Sequence, residues 1–327
     1  MKRTRVQSSG HSIVLRIFYF QAAYPLSPGE GRQVGVKGQY NMLNIHTVRK
    51  QVALILSICG AILLFSTLSS AEVPRRLISL APNITEILFA LGVQDRVVGV
   101  SSFCDFPEEA KRKPKVGGMS NPSIEAVVSL RPDLVLFSVD GNPKEFEERV
   151  RGMHIKTFTL RTKQIAELPE GIRQIGAAVG ARERAEELAL DMEKKISSLE
   201  QGRRARHALA KRQKVLFIIW PDPLIVAGPR SITDDALRLL GVENIAGDTV
   251  STYPKYSIEE ILRRAPDIIF IGKGNGMDRV SDSLLGRLKN VPAVRNGKVF
   301  YVSDYLYRLG PRTIKGVEEL ASHLAPR

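Results

Sequence analysis

The chain is predicted to fold as an α/β protein with two Rossmann-like lobes, each built on a parallel-type sheet. One long rigid helix joins the lobes, and a ligand cleft lies between them. This prediction rests on a short phrase that occurs twice, on strands that alternate with helices around both occurrences, and on a long helical stretch between them. A supersecondary unit used twice at a large separation indicates two similar halves. Because clefts between lobes are favoured ligand sites, the architecture points to a binding function.

The repeated phrase covers residues 123–133 and recurs, 134 positions later, at 257–267. Serine, isoleucine, glutamate, proline and aspartate stand in the same register in both copies, and an apolar run follows each, at 134–137 and 268–271. Serine is a typical N-cap, the Pro-Asp pair ends a helix, and the apolar run is typical of a buried strand. Each copy therefore predicts one helix followed by one buried strand.

In the first lobe, short apolar runs between turn residues predict strands, and the segments between them predict helices. Gly92 is expected to close the first helix as its C-cap. Besides the helix of the repeated phrase, the predicted strands are 76–80, 97–100, 134–138 and 156–160, and the predicted helices are 85–91, 108–111 and 143–152.

The stretch from Ile165 to about Arg212 is helical in pattern. Its later part, 182–212, lacks proline, contains only one glycine and repeats apolar residues at steps of three and four. A helix of this length would extend about 45 Å. We interpret it as a stiff strut between the lobes; the alternative is an ordinary surface helix of the first lobe.

The second lobe repeats the same alternation. A helix over 231–241 is expected to start at a serine cap and to end at a glycine, and a last helix is expected from Gly310 to Ala325. The predicted strands are 215–220, 225–228, 268–271 and 299–302. The predicted mature domains are therefore an amino-terminal lobe at 72–181, a linker helix at 182–212 and a carboxyl-terminal lobe at 213–327.

The amino terminus predicts export. Residues 52–68 are almost wholly apolar, basic residues precede them, and small residues up to Ala71 form a cleavage site. We expect a signal peptide at 42–71; an uncleaved membrane anchor is the alternative, since the run approaches spanning length. Because a second methionine stands at position 42, residues 1–41 are expected to be a non-native or disordered extension.

Charge and cysteine content exclude some classes of protein. The formal net charge is +14, of which residues 1–71 carry +7, so the mature chain is mildly basic with its acids and bases interspersed. A nucleic-acid partner is not expected, because its footprint would require clustered cations. Cys59 lies in the leader, so Cys104 would be alone and no internal disulfide is expected in the mature chain.

The sequence carries no strong enzyme motif. It has no P-loop, no zinc-type Cys/His spacing and no Gly-x-Ser-x-Gly elbow. We therefore expect no catalytic residues, no metal site and no cofactor apart from a transported ligand. A two-lobe metal-dependent enzyme would need cysteine ligands at cluster spacing, and a single mature cysteine argues against it.

Four segments of the mature chain resemble periplasmic substrate-binding proteins of ABC transporters for cobalamin and iron chelates. They are Arg76–Glu86, Val98–Pro107, Val242–Ile245 and Arg308–Arg312. They occur in one order and span about residues 75–325, and the Cys-Asp-Phe-Pro segment makes the cobalamin-binding branch the most similar. The resemblance implies a monomeric periplasmic receptor that delivers a corrinoid to an inner-membrane permease and its ATPase, without catalysis.

The resemblance also implies a docking role for two glutamates. Glu125 and Glu259 of the repeated phrase match the acidic residue on each lobe that meets basic residues of the permease. The alternative is that each is a first-turn helix residue favoured by the helix dipole.

Eight residues are expected to bind the ligand, most of them because of the resemblance. They are Pro82, Phe103, Met119, Ser138, Trp220, Tyr253, Asp304 and Arg308. Met119, Ser138 and Tyr253 match tryptophan positions of a close relative, so a smaller corrinoid, a haem or a ferric siderophore stays open as an alternative ligand. Trp220 is either a core residue or a cleft wall. Arg312 is either a ligand for an acidic group or an anchor for its loop.

Overall fold

A parallel four-stranded sheet organises the first lobe. The computed structural model describes residues 50, 53, 54, 72–207, 212–273 and 283–324, so the expectations for 1–41 and for the leader lie almost wholly outside the described residues. The strands are β1 (Leu77–Ser79), β2 (Val97–Val100), β3 (Leu134–Ser138) and β4 (Lys156–Leu160), in the order β2-β1-β3-β4. β3 is buried along its whole length, as a continuous apolar run covered on both faces should be.

Helices of the first lobe connect these strands as predicted, with differences at their ends. The helices are α1 (Pro82–Ala90), α2 (Glu108–Lys111), α3 (Ile124–Ser129) and α4 (Lys144–Gly152). α1 begins three residues before the expected Thr85, because proline is well suited to the first helical turn. Its C-cap is Leu91 and not the predicted Gly92, which follows with a φ of +73°, a left-handed conformation that glycine adopts easily.

Two helices lead from the first lobe to the second. α5 spans Leu168–Val179, and α6 spans Arg182–His207, a 26-residue helix about 39 Å long. α6 packs along α5 through a close contact at which a side chain on Gly176 would collide with Ala185, and its other end contacts the second lobe. The predicted linker helix is thus present. Of its expected continuation over 208–212, residues 208–211 lie outside the described residues, and residue 212 is not helical.

The second lobe has a mixed sheet. Its described strands are β5 (Lys214–Pro221), β6 (Leu224–Val226), β7 (Glu243–Asn244), β8 (Ile268–Gly272) and β9 (Val299–Val302). They follow the order β6-β5-β8-β9, with β7 also paired to β5. All pairs are parallel except β5–β6, because the two residues between β5 and β6 suffice for a hairpin but not for a parallel crossover.

Described helices of the second lobe pack on both faces of this sheet. They are α7 (Ile232–Leu240), α8 (Ile258–Arg264), α9 (Pro292–Arg295) and α10 (Thr313–Leu324). α7 begins at the predicted Ser231 cap and ends at Gly241, which has a φ of +76°. α10 contacts both α6 and α7, and therefore secures the linker helix to the second lobe.

The two copies of the repeated phrase fold alike. Ser123 caps α3 by accepting from the Ala126 N–H at 3.2 Å, and Ser257 caps α8 by accepting from the Glu260 N–H at 3.1 Å. After each helix the chain turns through a left-handed residue, Arg131 with a φ of 45° and Ala265 with a φ of 49°.

An aspartate then ties each copy to the first strand of its lobe. Asp133 accepts from the Arg75 and Arg76 N–H groups at 2.7 and 2.9 Å, and Asp267 accepts from the Lys214 N–H at 2.8 Å. The same strand positions supply cations to the helix ends, where they stabilise the free carbonyl groups. The Arg76 guanidinium donates to the Leu130 carbonyl, and the Lys214 ammonium donates to that of Arg264.

Candidate ligand cleft

The carboxyl ends of the strands in both lobes converge on one region. Residues that follow β1 and β2 contact residues that follow β9 in the other lobe: the Asn83 amide donates to the Leu309 carbonyl at 3.3 Å, for example. In open α/β sheets, ligands bind in the crevice outside the carboxyl ends of the strands. This region is therefore the candidate site.

A buried ion pair joins the lobes at the floor of this cleft. Arg312 donates from Nε and Nη2 to the two carboxylate oxygens of Glu86 at 3.0 and 2.7 Å. The Glu86 side chain is 3% exposed and that of Arg312 is 15% exposed. Burial would lower the pKa of Arg312, but the hydrogen bonds and charge of Glu86 raise it above its ordinary value. Of the two roles expected for Arg312, the structure shows the anchoring contact.

A second ion pair crosses the lobes nearer the surface. Arg308 donates from Nη1 and Nη2 to the Asp105 carboxylate at 2.5 and 3.3 Å. The same Nη1 atom lies 3.9 Å from Oε1 of Glu86. The hydrogen bond from Arg308 lowers the pKa of Asp105 below its ordinary value. Arg308, predicted to reach the ligand, is thus paired with a carboxylate of the other lobe.

Exposed aromatic side chains lie at the strand ends of both lobes. Phe103, on the loop after β2, is 58% exposed, and Tyr253 of the second lobe is 48% exposed. Trp220, near the carboxyl end of β5, is 40% exposed; its indole N–H donates to the Asp222 carbonyl at 2.7 Å, so it is not a core residue. Large exposed apolar side chains are typical of a surface that binds a ligand.

Two tyrosines of the second lobe have raised pKa values. Although Tyr253 is half-exposed, desolvation by the surrounding protein raises the pKa of its hydroxyl, and the Asp140 carboxylate of the other lobe raises it further. Burial, followed by the charge of Asp304 and that of Tyr253, raises the pKa of Tyr307 to about 12.

The remaining predicted ligand residues are more buried than these aromatic residues. Pro82 is buried at the start of α1. Ser138, at the end of β3, is 2% exposed, and its hydroxyl accepts from the Asp140 N–H at 3.3 Å. Met119 is partly buried against the core, and Asp304 is 3.7 Å from Arg312.

The sequence reasoning did not identify Glu86, Asp105, Asp140 and Tyr307 as site residues. Each of them lies within ten residues of the carboxyl end of a parallel strand, which is the signal that could have found them. In the folded chain the Tyr307 hydroxyl occupies the place that a Cβ atom at Gly272, the last residue of β8, would take.

Glu125 and Glu259, the glutamates expected to dock on the permease, are exposed on the first turns of α3 and α8. Glu125 accepts from the Ser123 hydroxyl at 2.9 Å, and its own backbone N–H and then that hydroxyl lower its pKa. Glu259 makes no hydrogen bond or ion pair with any residue that the structure describes. Neither side chain is therefore consumed by a buried contact.

Two kinds of feature are absent from the ranges that the structure describes. There, no three His, Cys, Asp or Glu side chains are grouped so that they could hold a metal ion. No helix in those ranges is both long and apolar enough to cross a bilayer. The apolar run at 52–68 lies outside them apart from residues 53 and 54.

Comparison with known proteins identifies the architecture. The chain is 31% identical over 259 residues to an uncharacterized ABC transporter substrate-binding lipoprotein, YvrC, of Bacillus subtilis, which covers 77% of this chain and 81% of the relative. The structure of the periplasmic vitamin B12 binding protein BtuF of Vibrio cholerae matches with a TM-score of 0.68 and 26% identity, over 77% of this chain and 96% of that one.

A haem-binding protein is similarly related. The periplasmic heme-binding protein RhuT from Roseiflexus sp. RS-1, in its apo form, matches with a TM-score of 0.67 and 28% identity, over 76% of this chain and 97% of that one. The family model for periplasmic binding proteins matches residues 77–306, which include the linker helix and most of both lobes. The chain therefore belongs to the periplasmic binding protein family.

Proposed function

We propose that this protein is a non-catalytic periplasmic receptor that captures a corrinoid of the cobalamin type and delivers it to an inner-membrane ABC importer. The observation that carries the proposal is the set of exposed aromatic side chains, Phe103 on one lobe and Trp220 and Tyr253 on the other, in the region where the two lobes meet. Similarity to a vitamin B12 binding protein supports the ligand class, and similarity to an ABC transporter substrate-binding lipoprotein supports the partner.

The chemistry of the cleft suits a large, flat and partly apolar chelate. Aromatic rings bury a large area against a planar ligand, and the flexible thioether of Met119 adapts to its outline. Asp304 and Arg308 supply polar groups beside this apolar surface. Such a cleft holds the ligand by contact and a few hydrogen bonds, and no bond of the ligand is broken.

The lobes are expected to move little when the ligand binds. α6 packs against both lobes, and the pairs Glu86–Arg312 and Asp105–Arg308 hold them together at the cleft floor. Large hinge closure needs a few loop residues that absorb the motion, and a continuous helix provides none along its length.

Delivery would use the docking glutamates. The exposed Glu125 and Glu259 occupy the same place on the two lobes, and basic residues on the permease would orient the receptor and speed association. Family membership implies a periplasmic location, which agrees with the signal peptide expected at 42–71.

Haem or a ferric siderophore is the second candidate ligand. The observation that favours haem is the similarity to RhuT, which is as extensive as that to the vitamin B12 binding protein. The tyrosines at positions 253 and 307 would serve either ligand as apolar walls.

Titration of the mature protein with cyanocobalamin, haemin and a ferric hydroxamate siderophore tests the proposal. Quenching of the fluorescence of Trp220, the single tryptophan, reports binding, and calorimetry gives the affinity. We expect micromolar or tighter binding of cyanocobalamin. Phe103→Ala and Tyr253→Ala should each weaken it about tenfold, since burying an aromatic ring contributes roughly 1.5–3 kcal/mol.

Met153→Ala is the matched control, because Met153 is also exposed but follows α4, away from the strand ends. Absence of binding by all three ligands, or equal loss of affinity in the control, would contradict the proposal.

A further inference from the structure

We infer that Asp140, just beyond the carboxyl end of β3, is a specificity-determining residue that disfavours ligands with peripheral carboxylates. The cleft would then prefer a chelate rimmed by amides, such as a corrinoid, to a porphyrin rimmed by propionates. This inference rests on the proposed function and chooses between its two candidate ligands.

Asp140 has a fixed position. The Asn142 side chain accepts from the Ser138 N–H at 2.8 Å and donates to the Leu80 and Met119 carbonyls at 3.1 and 2.9 Å. The Asp140 N–H in turn donates to the Ser138 hydroxyl. A turn braced by an amide that uses both its acceptor and its donors holds the backbone of Asp140 in one place.

The Asp140 side chain is exposed, and it follows the carboxyl end of β3 at the edge of the first lobe that borders the candidate cleft. Desolvation and then the charge of Asp140 raise the pKa of the Tyr253 hydroxyl on the other lobe, which agrees with this placement.

Both arginines of the cleft, Arg308 and Arg312, already form ion pairs with carboxylates of the protein. Arg312 is held by both oxygens of Glu86, and Arg308 by both oxygens of Asp105. A ligand carboxylate could recruit either one only by leaving a carboxylate of the protein unpaired. The cation that acts on Asp140 is Lys163, which is exposed on the loop after β4 and therefore offsets its charge only in part.

The peripheral groups of the ligand determine whether the Asp140 carboxylate attracts or repels it. A corrin carries amide side chains, whose NH₂ groups donate to a carboxylate, and a hydrogen bond to a charged acceptor is the stronger kind. A porphyrin propionate placed at the same point brings two like charges together, which is unfavourable. Burial raises the pKa of Asp140, as expected for a carboxylate that the surrounding protein partly removes from water.

A pair of ligands that differ at one group tests the inference. Cyanocobalamin is compared with its monocarboxylate derivatives, in which one peripheral propionamide is hydrolysed, and with haemin. We expect the wild-type protein to bind cyanocobalamin at least about fivefold more tightly than the most disfavoured monocarboxylate, as like charges a few ångströms apart predict. Asp140→Asn should reduce this ratio towards one and should improve haemin binding.

Asp95→Asn is the matched control. Asp95 is exposed and precedes β2, at the amino ends of the strands, so its loss removes the same charge far from the cleft. The control should leave the ratio unchanged, and equal melting temperatures of the two variants would show that both are folded.

The experiment distinguishes failure of the Asp140 inference from failure of the proposed function. An unchanged ratio in Asp140→Asn, or tighter binding of haemin than of cyanocobalamin by the wild-type protein, overturns the inference and leaves a chelate receptor in place. Binding of neither ligand class by the wild-type protein overturns the proposed function as well.

Discussion

The two copies of the repeated phrase share the interactions that fix their backbones, and they differ in the charges around them. Both use a serine cap, a left-handed turn and an aspartate tied to the first strand. Only α8 carries an ion network: Glu260 holds Arg263 and Arg264, and Arg264 also holds Asp248. The hydrogen bonds from Arg263 and then Arg264 lower the pKa of Glu260 to about 2.

This difference separates structural residues from those that the fold does not explain. Serine, aspartate and the buried isoleucine each have a contact that accounts for their presence in both copies. The glutamates at 125 and 259 have none that the fold requires, although they stand in the same register. Residues that recur without a structural reason are the ones to test for a partner.

The largest expected effect comes from reversing both unexplained charges. Glu125→Arg combined with Glu259→Arg should reduce uptake of labelled ligand by at least about tenfold, because like charges would then meet the basic surface of the permease. Each single variant should have a smaller effect, of similar size in both lobes. Uptake is measured in cells whose only receptor is the variant, and ligand affinity should be unchanged.

Glu145→Arg and Glu243→Arg are controls for this test, because each is an exposed acid on one lobe outside the repeated phrase. Normal uptake by the double variant would show that the shared glutamates serve no docking role.

Removing the hydrogen bonds that Asp133 and Asp267 accept from backbone N–H groups should have the next largest effect. Asp133→Ala and Asp267→Ala should each lower the free energy of unfolding by about 1–2 kcal/mol, because backbone N–H groups lose a charged acceptor. Asp133→Ala should cost more, since its carboxylate accepts from two N–H groups rather than one. Urea denaturation measures both, and the reverse order would show that the copies are held differently.

The serine caps should contribute less. Ser123→Ala and Ser257→Ala should each cost about 1 kcal/mol of stability, the usual contribution of an N-cap. In the first copy alone the serine also donates to the glutamate, so Ser123→Ala should raise the depressed pKa of Glu125 towards its ordinary value. Carbon-detected NMR titration of the carboxylate follows this change; a constant pKa would show that the Glu125 backbone N–H accounts for the whole depression.

The left-handed residues should give the smallest effect, of opposite sign. Ala265→Gly should stabilise the protein by about 0.5 kcal/mol, because a non-glycine residue at positive φ is strained. Ala126→Gly, within α3, is the control and should destabilise by about 1 kcal/mol. Thermal unfolding measures both, and destabilisation by Ala265→Gly would show that its methyl group contributes more than the strain costs.

Local signals predicted much of this fold. The caps at Ser123, Ser231 and Ser257 and the apolar runs of β3 and β8 each depend on neighbouring residues, so pattern alone located them. The direction of β6 was not foreseen, because alternation of strands and helices says nothing about a hairpin within one lobe. The short connection to β5 was the signal for it.

The ion pairs at the floor of the cleft could not be predicted from local sequence signals. Glu86 and Arg312 are 226 positions apart, and nothing near either of them indicates a partner. Asp105 and Arg308 are 203 positions apart and belong to different lobes. Pairs of this kind depend on how the lobes meet, which only the folded chain determines. The domain boundaries and the ligand residues stay predictions.

Under the proposed function, the ion pair between Glu86 and Arg312 has a consequence for the rate of import. Lobes joined at their base would present almost the same outer surface to the permease with and without ligand. Ligand-free receptors would then compete with ligand-bound ones for the same permease, and an excess of receptor over ligand would slow import instead of speeding it.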